Sequence, residues 1–503
     1  MAKTRAKTEF GDFQTPSALA RDVCASLAAL SVSPRAIVEP TCGEGNLLMA
    51  ALEAFPGAEQ ILGIEINAAY LLRLRLKLDS AEGTEKVVLR EADFFSHDWS
   101  FIRSLPEPVF VIGNPPWVTN SSLGAIQSQN LPRKANFNGH SGLDALTGKS
   151  NFDISEWMLI QTLEWLQGRS GVLAVLCKTS VARKVLAHAW KKGLNIASAT
   201  LHVIDAKEYF DATVNACLLT CVFHPSRKSC HANVYDSLHD TVSASQIAIC
   251  DGELIADAEA YEVARSLVAD QKQAGLEWRS GIKHDCSAVM ELRESDGKLI
   301  NGWGETVDIE DIHLFPMFKG SEVANDMTIQ PRRRMIVPQQ FVGQETATIT
   351  RSAPKTSDYL TAHASHLDAR RSSIYLKKPR FSVFGVGPYT FSPWKVAVAG
   401  LYKKPHFRVC PSHQGKPVVF DDTVNFLPCT SAAQAELLCE LLQSEPALSF
   451  FTAFIFWDAK RPITVDLLNR LDLRKLAHSC GLSAEFSRFF RNTSIDFYEK
   501  SLF

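Results

Sequence analysis

The sequence has no uninterrupted apolar run of about 18 residues, so no membrane-spanning helix is expected. It has no Cys-x-x-Cys pair among its 12 cysteines. The nearest approach to a metal pattern, Cys217, Cys221 and Cys230-His231, lacks finger spacing and straddles an expected strand. The expectation is therefore no metal, and reduced, mostly buried thiols in a cytoplasmic protein. The N-terminal stretch MAKTRAKTEFGDF is basic but lacks the apolar segment of a secretory signal. Internal repeats and low-complexity tracts are absent as well. What is present, 46% hydrophobic and 21% charged residues, is a globular composition, and 503 residues exceed one ordinary core. Two domains are expected.

A net charge of -2 conceals an uneven distribution. Residues 1–225 carry 21 Lys+Arg against 22 Asp+Glu, residues 226–312 carry 8 against 17, and residues 313–420 carry 16 against 5. A polyanion would therefore find its attraction in the third quarter of the chain.

Seven apolar runs read as strands: 36–40, 61–66, 86–95, 109–114, 171–178, 199–205 and 215–223. Between them NLLMAALEAF, AAYLLRLRLKL, SEWMLIQTLEWL and VARKVLAHAW have the apolar spacing of helices. That alternation predicts a doubly wound, mostly parallel α/β sheet with ligands at the carboxyl ends of its strands. The last two strands, joined through KEYFDAT, are expected to form an antiparallel edge. Residues 120–150, rich in Ser, Gly and Asn, suggest a loop that orders on binding. Beyond 275 the alternation gives way to short β-like runs, RMIVPQQF, RFSVFGVG and WKVAVAGLY, and then to helices such as SAAQAELLCELLQ. The expected division is a domain over 1–225, a connector over 226–275 and a β-rich or mixed domain over 276–503.

The strand ends carry the chemistry. The first ends in Glu39-Pro40-Thr41-Cys42-Gly43-Glu44-Gly45, whose glycines allow a tight turn and close approach to main-chain N–H groups. The second ends in Glu65, placed to accept ribose hydroxyls. The third ends in Asp93-Phe94-Phe95, an acid beside aromatics that suits an adenine. Glu39 and Glu44 in the turn disfavour phosphates and favour a cation, as in a sulfonium nucleoside. The fourth ends in Asn114-Pro115-Pro116-Trp117. Each proline keeps the residue before it extended and removes a backbone donor, leaving oxygens to accept from a substrate amino group. Trp117 offers a face on which a base can stack.

These motifs together resemble the S-adenosylmethionine-dependent N6-adenine DNA methyltransferases. Their order, with GDFQTP (11–16) first and the basic domain last, is similar to the gamma class. The resemblance implies a seven-stranded methyltransferase sheet followed by a DNA target-recognition domain. By it Thr15 would bind the methionine carboxylate, and Glu39, Thr41, Cys42 and Gly43 would line the methionine. Glu65 would hold the ribose and Asp93 the adenine of the cofactor. Asn114, Pro115, Pro116 and Trp117 would be catalytic, and Phe210 would face Trp117 across a flipped base, with Tyr209 its rival. It further implies double-stranded DNA as substrate and a separately encoded restriction nuclease as counterpart. A fused nuclease is not expected, since only ten residues precede the resemblance and no nuclease pattern comes after it. RNA adenine or protein glutamine methylation would use the same Asn-Pro-Pro-aromatic chemistry, and a DNA-binding pseudo-enzyme is the non-catalytic alternative. The basic third quarter argues against a protein substrate, and the full catalytic set against a pseudo-enzyme.

Overall fold

A computed structural model describes residues 13–117, 153–270, 276–325 and 330–490. The Ser/Gly/Asn-rich stretch at 120–150 lies outside them, as do Gly11 and Asp12 of the first motif. The chain divides into two compact units, 1–258 and 259–503.

The first unit begins with helix α1 (Ser17–Ala28), which leads to β1 (Ala36–Glu39), α2 (Asn46–Ala54), β2 (Gln60–Glu65) and α3 (Ala68–Leu78). Next come β3 (Val87–Glu91), β4 (Val109–Gly113), α4 (Ile154–Trp165), β5 (Gly171–Lys178) and α5 (Thr179–Lys192). The unit closes with β6 (Ile196–Ile204), the short α6 (Ala206–Phe210), β7 (Ala216–Phe223), β8 (His231–Tyr235), β9 (Ser245–Cys250) and β10 (Glu253–Ile255). All ten strands form one sheet in the order β10-β9-β8-β6-β7-β5-β4-β1-β2-β3. Strands β1 to β5 run parallel, and β1 and β4 are buried along their whole length, as strands covered by helices on both faces must be.

Two expectations are corrected here. Strand β7 is antiparallel to both neighbours but lies inside the sheet, between β5 and β6. Residues 231–255, expected in the connector, continue the sheet: β8 pairs with β6, and β9 and β10 extend it to a new edge. The alternating small and polar residues of HANVY and SQIAIC hide this, because such outer strands bury only part of their faces.

The strand order reverses between β1 and β4, which opens a crevice at their carboxyl ends. Beneath it Leu19, Val23 and Leu27 of α1 share a core with Leu47 and Leu48 of α2, Phe110, Trp117, Phe210 and Leu218. That packing holds Phe13–Pro16, just before α1, over the strand ends.

The second unit holds two sheets. Strands Arg279–Ser280, Val424–Cys429, Trp394–Ala399 and Phe407–Pro411 make an antiparallel sheet in that order. The other runs Thr306–Val307, Lys298–Ile300, Glu291–Ser295, Arg333–Ile336, Leu314–Phe318, Val419–Phe420. The expected carboxyl-terminal helix is found at Ala432–Leu442, capped by Ser431. RFSVFGVG does not become a strand, and its only ladder contact is a bridge from Phe384 to Lys283. Gly385, at φ +72°, lies so close to the Gly281 carbonyl that a Cβ would come within 2.5 Å of it, which turns the chain away from extension.

Candidate active site

Strand β1 delivers Glu39 to the crevice, where it is only 3% exposed. Burial first, and then the neighbouring Glu65 charge, push its carboxyl well above the usual carboxylate range; a hydrogen bond from the Leu48 amide opposes them. Its Oε2 is buried without a partner. The turn after β1 uses its glycines as the sequence suggested: Gly43 at φ +50° and Gly45 at φ +77°. A Cβ on Gly45 would lie 2.2 Å from Leu74 Cδ1, so the turn and α3 touch only because Gly45 has none. Glu65, ending β2, accepts the Gly43 amide at 2.8 Å on one carboxylate oxygen and the Asn67 amide at 2.9 Å on the other. The carboxylate thereby locks the glycine turn, bracing it from both sides.

Glu44 departs from expectation. Its carboxylate pairs with Arg73 of α3, and Lys77 of α3 donates to its carbonyl at 2.8 Å. The acidic groups left to the crevice are therefore Glu39 and Glu65, with Glu44 paired to Arg73. Cys42 keeps its thiol out of the crevice, since its side chain is buried against the sheet and burial drives the thiol far up. Thr41 is half-buried beside it. Asp93 comes just after β3 and accepts the Phe95 amide at 3.0 Å with one oxygen. The Phe94 ring is taken up by a core with Trp99, Trp157 and Trp165, so it offers no free face to a ligand. Ile66, between Glu65 and Asn67, is instead an exposed apolar side chain at 43%.

At the end of β4, Asn114 Nδ2 donates to the Phe13 carbonyl at 2.8 Å and to Thr15 Oγ1 at 3.2 Å. Both amide hydrogens are thus used within the protein, and Oδ1 is left buried without a partner. Thr15 is buried, and its carbonyl accepts from Asn46 Nδ2 at 2.8 Å, while Gln14 Oε1 accepts from the Glu44 amide at 2.9 Å. The segment before α1 therefore ties the glycine turn to Asn114. Pro115 is buried and Pro116 half-buried. Trp117 Nε1 donates to the Leu176 carbonyl at 3.2 Å. The structure brings Phe210 to Trp117, but edge to face, with ring centroids 5.1 Å apart and planes at 70°. A base between two parallel rings needs about 7 Å, twice a van der Waals contact, so the pair does not form a sandwich. Phe13 completes a three-ring cluster, 5.7 Å from Trp117 and 6.1 Å from Phe210.

Besides Phe13, Gln14 and Asn46, two residues beside Trp117 escaped the sequence reasoning. Lys178, the last residue of β5, donates to the Trp117 carbonyl at 3.0 Å and to Asp153 Oδ2 at 2.5 Å. Asp153 in turn caps α4, accepting from Ser155 N at 3.1 Å and Oγ at 2.6 Å. The signal was a strand ending in lysine where others end in acids.

No family model matches the sequence. The type II methyltransferase M.NspV of Nostoc sp. (strain ATCC 29411 / PCC 7524) is 47% identical over 474 residues, 94% of this chain and 98% of that protein. Another type II methyltransferase, M.XamI of Xanthomonas campestris pv. amaranthicola, is 32% identical over 119 residues, 23% of this chain and 21% of that one. Among solved structures, the type IIL restriction-modification enzyme MmeI in complex with DNA shares the fold at a TM-score of 0.51 and 12% identity, over 98% of this chain and 76% of that one. Near-half identity along almost the full length of both proteins settles the family: the chain belongs to the type II methyltransferases of restriction–modification systems.

Proposed function

We propose that this enzyme transfers a methyl group from S-adenosylmethionine to N6 of an adenine flipped out of double-stranded DNA. The observation that carries the proposal is Asn114 Oδ1, a buried acceptor without a donor, beside a crevice with two carboxylates. An acceptor fixed by two internal hydrogen bonds calls for an N–H from outside, and an exocyclic amino group supplies two.

The crevice fits S-adenosylmethionine. Glu39 Oε2 lacks a partner, and a cation placed between Glu39 and Glu65 would draw the Glu39 carboxyl back toward its ionised form. Glu65 would accept the ribose hydroxyls, Asp93 the adenine amine, Thr15 would hold the methionine carboxylate, and Ile66 would cover the adenine ring. When bound, the cofactor supplies an electrophilic methyl on a cationic sulfur. Asn114 Oδ1 and the Pro115 carbonyl would each accept one hydrogen of the substrate –NH2. That draws the nitrogen lone pair out of conjugation toward the methyl, and the proton leaves only after the nitrogen has become cationic. No strong general base is required. The base would stack on Trp117 while Phe210 bounds its edge, a role the 70° ring angle supports better than a sandwich. Flipping is required because an adenine paired and stacked inside a duplex cannot enter such a pocket. The basic third quarter and the fold shared with an enzyme solved on DNA support a duplex substrate, with a separately encoded nuclease as counterpart.

Mass spectrometry of nucleosides from treated duplex DNA tests this. N6-methyladenine is the expected product, and Asn114→Ala is expected to lose turnover by about a hundredfold or more while cofactor binding persists. N4-methylcytosine would change the base. Label only on RNA or on protein glutamine would overturn the proposal.

A further inference from the structure

In the second unit, Glu291 and Arg293 stand on the same face of strand Glu291–Ser295. Glu291 is buried, yet its carboxyl sits below its ordinary range: burial would raise it, and hydrogen bonds from His284 and Lys319 outweigh that. Lys319 Nζ lies 2.7 Å from it, His284 Nε2 3.2 Å and Arg333 Nη1 3.9 Å. The carboxylate thus holds the roots of a basic cleft of about 630 Å³ lined by Arg293, Lys319 and Arg333.

Arg293 stands directly opposite Arg333 in the antiparallel ladder. Like charges in that position repel each other unless an anion lies between them. Among the described residues no acid pairs with Arg293, and Glu291 serves both Lys319 and Arg333 while also bonding His284. The cleft therefore keeps more positive charge than the protein itself neutralises. On its rim the turn Gly302–Gly304 presents Trp303, 46% exposed. That ring is held flat against His363, 5.4 Å away with planes 10° apart, while Asn301 Oδ1 accepts the Trp303 and Glu305 amides.

We propose that this cleft binds a backbone phosphate of the DNA substrate, with Arg293 and Arg333 as paired forks, Lys319 as a third donor and Trp303 as a wall against the sugar. The proposal rests on the duplex-DNA reading above and adds where the second unit grips. Two facing guanidinium forks match phosphate oxygens without reading sequence.

The test is duplex affinity of the full chain across a salt series, for the wild type, Arg293→Gln, Arg333→Gln and the exposed control Lys191→Gln. Each arginine variant is expected to bind about tenfold more weakly at low salt. Each should also flatten the log–log salt dependence by about one unit, uniformly across DNA sequences, with melting temperature and cofactor affinity unchanged. Wild-type affinity and slope in both arginine variants would overturn the cleft while leaving the DNA reading intact. A relaxed sequence preference with unchanged slope would mean base contact and likewise overturn it. Absence of duplex binding by the wild type would overturn the DNA reading itself.

Discussion

At Glu39 the protein keeps a carboxyl buried beside a second carboxylate, an arrangement that costs stability until a cation arrives. Because its carboxyl is raised in the folded state, folding is favoured at low pH, where Glu39 is protonated, and that advantage is lost as pH rises through its folded value. Glu39→Gln should therefore raise the melting temperature of the cofactor-free protein at pH 8, since glutamine still accepts from the Leu48 amide. The same change should weaken S-adenosylmethionine binding by about 1.5–3 kcal/mol, the range of a charge-assisted contact. Melting curves and calorimetry on one preparation check both signs, and lowered stability with unchanged affinity would remove Glu39 from the cofactor site. Residues such as Glu39, Glu65 and Asn114 were legible because strand order alone puts them at one crevice. Phe13, Gln14 and Asn46 were not, since their partners lie some 30 to 100 residues away and only packing of α1 selects them.

At the scale of elements, the Asn-Pro-Pro-Trp segment is held by the neighbouring strand and helix as much as by β4 itself. Lys178 joins the end of β5, the Trp117 carbonyl and the capped start of α4. Lys178→Met alone would leave Asp153 buried and unpaired, a loss of about 3–5 kcal/mol. The double variant Lys178→Met/Asp153→Asn removes that penalty and isolates the positioning role. It should fold and bind cofactor normally, while turnover falls about tenfold through weaker seating of Trp117. Fluorescence of 2-aminopurine at the target position reports whether the base is still captured. Unaltered turnover in the double variant would make the lysine purely structural. The central strands and their helices were legible because continuous apolar runs leave few alternatives. The three outer strands were not, as a half-buried strand needs its neighbour to show which face is covered.

Over the whole molecule, a count of charges is not a field. The acidic stretch 226–312 and the basic stretch 313–420 neutralise each other in part: Asp308 pairs with Lys355, Asp311 with Lys416, Glu294 with Arg334 and Glu291 with Lys319. Lys377, Lys378, Lys403 and Lys404 stay exposed and remain available to phosphates. Lys395 of the same basic stretch does not join them: it is 1% exposed, and its Nζ donates to the Ser392 carbonyl at 2.7 Å. Strand Trp394–Ala399 is buried on both faces from Lys395 onward, and desolvation there pushes the Lys395 ammonium down to about 8, although the Cys410 and Cys429 thiols oppose the shift. Below pH 8 the ammonium is charged in both the folded and unfolded chain, so the burial penalty is in force. Between about pH 8 and the ordinary value of 10.5 the folded protein loses its proton first, and stability rises with pH. Measured by urea unfolding, wild type should gain about 3 kcal/mol on Lys395→Met between pH 7 and pH 10.5, from a shift of roughly two to three units. Every other titrating group is common to both proteins, so the difference isolates Lys395. Parallel stability curves would place the ammonium in contact with solvent, like the exposed lysines of the same stretch.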